Sequence, residues 1–96
     1  MSENTNLKIA LDNASDLFNN NNLNECIEQI EEILKIHPSN LKALSLLLEI
    51  NIKLNRAEKA LKIIKKLIQL DPNNKEHHEK LVKVYNLHIL LEVNLK

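Results

Sequence analysis

Cys26, the four histidines and a few serines are the side chains best suited to chemistry in this 96-residue chain. A thiol works as nucleophile or metal ligand only as the thiolate, which needs a cationic or hydrogen-bonding neighbourhood. Cys26 instead shares a helical face with Leu23, Ile27 and Ile30, the setting of a buried and inert thiol. His37, His77, His78 and His88 contain no i, i+4 pair and have no cysteine nearby, so they offer no zinc-type ligand set. His77 and His78 are adjacent and would point about 100° apart on a helix. Ser15, Ser39 and Ser45 lack a local base with a group to orient it. With no glycine in the chain, phosphate-cradling loops are excluded. No catalytic residue, metal or cofactor is expected, and the chain does not read as an enzyme.

Composition narrows the class further. A chain of 96 residues buries only about 60–65% of its unfolded surface, so it makes one small domain, expected over 1–96. Apolar residues reach 44%, but Phe18 and Tyr85 are the only aromatics, which leaves a core of Leu, Ile and Val. Thirteen basic and thirteen acidic residues cancel, and no long-range field favours nucleic acid or an anionic membrane. One cysteine cannot form an internal disulfide. No apolar run approaches the ~18–20 residues of a membrane span, and MSENTNLKIALDNAS has neither the basic nor the apolar region of a signal peptide. A soluble cytoplasmic protein is the expectation.

The elements follow from an internal repeat. Asn55 to Asn74 superimposes on Asn21 to Asn40 after a shift of 34 residues, with Pro72 over Pro38, Ala60 over Cys26 and Ile64 over Ile30. Such a period, closed each time by proline, marks stacked helix pairs. Asn6, Asn40 and Asn74 stand at matching starts, where asparagine caps a first helical turn. Asn21 and Asn55 stand at matching turns, where asparagine tolerates the left-handed conformation. Five helices are therefore expected, over about 7–19, 23–36, 41–53, 56–70 and 75–94, in an all-α fold. The first unit spans 7–40, the second 41–74, and a C-terminal half-unit 75–96. The fifth helix runs through Ile89, the place of the next turn, with Leu81, Val82 and Tyr85 as its apolar points.

The pattern resembles the tetratricopeptide repeat family, whose signature runs W-x2-L-G-x2-Y, then A-x3-F, then P. Those places hold Ala10, Asn13-Ala14, Leu17, Cys26, Ile30 and Pro38 in the first unit. In the second they hold Leu44, Leu47-Leu48, Asn51, Ala60, Ile64 and Pro72, and the half-unit has His78, Leu81-Val82 and Tyr85. Close helix crossing needs small facing side chains, which Ala14 and Cys26 supply; Leu48 opposite Ala60 is expected to splay or shift the second pair.

The resemblance implies a right-handed superhelix whose concave groove, lined by the first helix of each unit, binds a protein or peptide. Carried over, that groove holds Leu11, Ser15 and Phe18 from the first helix. The third contributes Lys42, Leu46, Glu49, Ile52 and Lys53, and the fifth Lys80 and Lys83. Relatives that grip the Glu-Glu-Val-Asp tail of heat-shock chaperones use two Lys, two Asn and an Arg. Here those places hold Leu11, Ser15, Leu46, Glu76 and Lys80, which disfavours that partner. An apolar strip of Leu11, Phe18, Leu46 and Ile52 suits a peptide with apolar anchors.

Two further surfaces stand out. Glu25, Glu28, Glu31 and Glu32 correspond, 34 residues on, to Lys59, Lys62, Lys65 and Lys66. An acidic helix beside a basic one implies cross-helix ion pairs, or a device setting register between repeats or chains. The end of the fifth helix is apolar over most of its circumference, and Leu87, Leu90, Leu91 and Leu95 are candidates for self-association as a homodimer.

Overall fold

Positive φ at Asn21 (61°) and Asn55 (58°) turns the chain twice, 34 residues apart. The hydrogen bonds around them repeat as well. Asn22 N donates to Leu17 O (2.8 Å) and Asn21 N to Phe18 O (3.0 Å). Arg56 N donates to Asn51 O (2.8 Å) and Asn55 N to Ile52 O (3.0 Å). This pair of bonds is the Schellman closure, which satisfies carbonyls a helix end would otherwise leave open. Glycine is its usual residue, and asparagine replaces it here in both turns.

A computed structural model describes residues 3–95, and side chains over 6–93. It contains α1 (Glu3–Asn19), α2 (Leu23–Ile36), α3 (Leu41–Lys53), α4 (Ala57–Leu70) and α5 (Lys75–Leu95). The two asparagine turns fold α2 back on α1 and α4 back on α3. His37 and Asp71, each preceding a proline, leave helical geometry at φ −125° and −143° and end α2 and α4. The clash of a proline ring with the preceding residue explains both stops. Asn40 then caps α3 by accepting from Ala43 N at 2.9 Å. Asn74 accepts from Glu76 N at 3.0 Å at the start of α5.

Asn6 departs from this scheme. It lies inside α1, which begins at Glu3 rather than near Leu7. The place matching Pro38 and Pro72 is Asn4, so no proline ring ends a helix there. Proline, not asparagine alone, decides where these first helices start.

Two apolar clusters run through the stack. Ala14, Cys26, Ile30, Ile33, Ala43 and Ile50 form the first, joining α1, α2 and α3. Leu44, Leu48, Ala60, Ile64, Leu67 and Val84 form the second, joining α3, α4 and α5. Helix α3 is apolar on two sides because it serves both. Leu48 and Ala60 are both closed to solvent, so the large residue opens no exposed gap at that crossing. A single methyl on Ala60 leaves it room.

The inward face of α5 differs from the sequence expectation. Val84 is fully buried and His77 is 8% exposed, whereas Val82 is 61% and Tyr85 41% exposed. Leu44, Leu48 and Asn51 of α3, one period before His78, Val82 and Tyr85, are buried, the two leucines in the cluster shared with α4. No helix among the described residues covers that side of α5. It docks instead through the face equivalent to Ala43 and Ile50, by which α3 meets the first pair.

Candidate functional site

Helices α1, α3 and α5 carry the residues expected to line a groove. Leu11, Phe18 and Leu46 are half-buried against the first cluster, and Ile52 against the second. Each therefore keeps part of its side chain open while the rest anchors the stack. Ser15 is half-buried, and Lys42, Lys53 and Lys83 are exposed. Two contacts tie the row together. Lys53 Nζ lies 5.5 Å from the centre of the Phe18 ring, within cation–π reach. Lys80 pairs with Glu49, joining α5 to α3. Burial, and then the neighbouring Lys83, lower the Lys80 pKa below the ordinary lysine value. Beside that pair, Ser45, Leu48, Glu76 and His77 bound a small cavity of about 240 Å³.

The residues expected to mediate self-association are divided. Leu87 and Leu91 are half-buried, Leu91 beside the first turn of α4. Leu90 is exposed, and the Leu95 side chain lies outside the described residues. The exposed apolar line on α5 is instead Val82, Tyr85, Ile89 and Val93, at spacings of three or four residues.

The expected ion pairs between α2 and α4 do not form among the described residues. Pairs are made by Lys8–Asp12, Lys35–Glu32, His77–Asp71, Lys80–Glu49 and His88–Glu92. Between α2 and α4 lies a cleft of about 300 Å³. Ile27, Leu47 and Ile63 supply its apolar lining, Glu31 stands on the α2 side, and Arg56, Lys59 and Lys62 stand on the α4 side. Asn51 is at its base, 3% exposed. Its Nδ2 donates to Leu47 O (2.8 Å), and its Oδ1 has no partner. Sequence reasoning placed Asn51 in the repeat pattern but in no site. The available signal was an amide where the first unit has Leu17.

Cys26, His77 and His78 make contacts within the fold. Cys26 is fully buried, its thiol donates to Ala14 O at 3.2 Å, and burial pushes its pKa up. That contact fixes α2 on α1, and a thiol held protonated is a poor nucleophile. His78 Nε2 donates to Pro72 O (2.8 Å), while His77 Nε2 lies 3.3 Å from Asp71 Oδ2, off the line of a hydrogen bond. The His78 ring therefore ties α5 to the α4–α5 link, and the His77 ring lies beside it. Among the described residues no three His, Cys, Asp or Glu side chains converge to hold a metal, and no helix is long and apolar enough to cross a membrane.

A search of curated proteins found no match. A tetratricopeptide repeat family model matches residues 17–83, more than two-thirds of the chain. The matched span begins inside α1 and ends inside α5, so it takes in both asparagine turns, both proline stops and most of the two apolar clusters. By that match and by its five stacked helices the chain belongs to the tetratricopeptide repeat family, whose members typically serve as non-catalytic modules of protein–protein interaction.

Proposed function

We propose that this chain is a non-catalytic interaction module that holds a partner peptide along the trough of α1, α3 and α5. The observation that carries the reading is the row of half-open apolar side chains, Leu11, Phe18, Leu46 and Ile52, on the first helix of each pair. Exposed lysines 42, 53 and 83 edge it, and the Glu49–Lys80 pair ties its far wall to its centre. Apolar anchors on a peptide gain by covering the open halves, while the charged edge restrains its direction. Peptides selected from a random library on the wild-type protein should bind Leu46→Glu about 10- to 100-fold more weakly, with the helical circular dichroism retained. Unchanged affinity would remove the trough from the account.

A second reading, self-assembly, is supported by α5. Val82, Tyr85, Ile89 and Val93 present to solvent the side that in α3 is covered by α4. A second copy laid on that side would bury it, and each fully buried Val or Ile contributes about 1.5–3 kcal/mol. Light scattering at micromolar concentration would then give a dimer mass, returned to monomer by Val82→Glu with Ile89→Glu. A monomer mass for the wild type ends this reading.

A further inference from the structure

The α2–α4 cleft lies on the side of α3 away from the Glu49 wall of the trough: around the helix, Leu47 and Asn51 each stand about 160° from Glu49, which lines the cavity beside Lys80. We propose that this cleft is a second docking site, for an acidic segment of a partner protein that carries an apolar anchor.

Three features set that chemistry. The lining is mostly apolar, through Ile27, Leu47 and Ile63, so a Leu- or Ile-sized side chain has a place to bury. The charges are unbalanced and uncommitted. Arg56, Lys59 and Lys62 face one Glu31, and none of the four takes part in an ion pair among the described residues. Carboxylates on the ligand meet the α4 wall and are repelled from the α2 wall, which gives the segment one orientation. Asn51 Oδ1 is a buried acceptor without a donor, a condition that costs stability until a donor arrives. An N–H of the docked segment answers it. The acidic α2 of a second copy is a poorer fit. Its exposed face carries Glu25, Glu28 and Glu32, and its one strongly exposed apolar residue, Ile36, is at the helix end.

The test uses a fluorescein-labelled, amidated peptide of repeated Leu-Glu-Glu, read by anisotropy against the full chain, with a Leu-Gln-Gln peptide as control. The Glu peptide should bind at least about tenfold more tightly than the control, and Lys59→Glu with Lys62→Glu should weaken it about tenfold or more. Lys65→Glu with Lys66→Glu, on the same helix but outside the cleft, should weaken it by a clearly smaller factor. Leu46→Glu should leave it unchanged, and amide shifts on titration should centre on Ile27, Leu47 and Ile63. Equal binding of the two peptides, or equal loss from the Lys65/Lys66 variant, reduces the cleft to general charge attraction and overturns the proposal. Loss of binding in Leu46→Glu moves the peptide to the trough and overturns it as well. So does a dimer seen by light scattering that Lys59→Glu with Lys62→Glu dissolves, because the occupant is then a second copy.

Discussion

Replacing Ile64 with alanine is expected to destabilise the fold by about 2–5 kcal/mol, against about 5–14 kcal/mol for a chain of this length. Ile64 is fully buried in the cluster shared by α3, α4 and α5. Alanine removes three carbons and leaves a void that neighbouring backbones, held by intact helical hydrogen bonds, fill only in part. The loss falls on two interfaces at once, α3 on α4 and α4 on α5. In a linear stack each unit is stabilised mainly by its neighbours, so a lesion between α3 and α5 is felt along most of the chain. Thermal unfolding followed by circular dichroism should show a Tm lower by roughly 10–30 °C. A fall of only a few degrees would mean that Ile64 is not enclosed as described.

The same residue shows why much of the fold was legible in the sequence. Ile30 and Ile64 occupy one place in two successive units, both fully buried, and both pair with a small residue, Cys26 or Ala60, four positions earlier. Turn residues with a forced backbone geometry, Asn21 and Asn55, and stops with a forced clash, Pro38 and Pro72, fix the ends of α2, α3 and α4 nearly to the residue. Those are local effects, and local effects can be read from neighbours in sequence. What failed depends on absent neighbours. The start of α1 differs because Asn4 stands where the later units have proline. The cleft beside Asn51 was illegible because matched acidic and basic stripes imply contact only if the helices touch. They are held apart over Leu47, and among the described residues Glu31 pairs with no lysine.

Helix α5 turns that lesson into the second large effect. Val84→Asp is expected to cost about 3–5 kcal/mol and to loosen α5 from α3 and α4, whereas Val82→Asp should stay within about 0.5 kcal/mol of wild type. The two valines are two residues apart and identical in propensity, so only their surroundings separate them. Val84 is fully buried beside Leu44 and Leu48, an apolar setting that penalises a carboxylate. Val82 is 61% exposed. The repeat pattern alone picks Val82, since it follows Leu48 by one period, but that choice assumes a following helix to receive it. With none among the described residues, α5 is held only by its contact with the preceding pair, and the burial moves to Val84. The pH response gives an independent reading. Burial raises the pKa of the new carboxyl above the unfolded value of about 3.9, so the charge penalty is complete above the folded pKa and fades as pH falls through it. The deficit of Val84→Asp relative to wild type should therefore shrink between pH 7 and pH 4, while Val82→Asp shows no such trend. Equal losses in the two variants would place α5 in the register the repeat alone suggests, and the exposed side assigned to Val82, Tyr85 and Ile89 would then be the core.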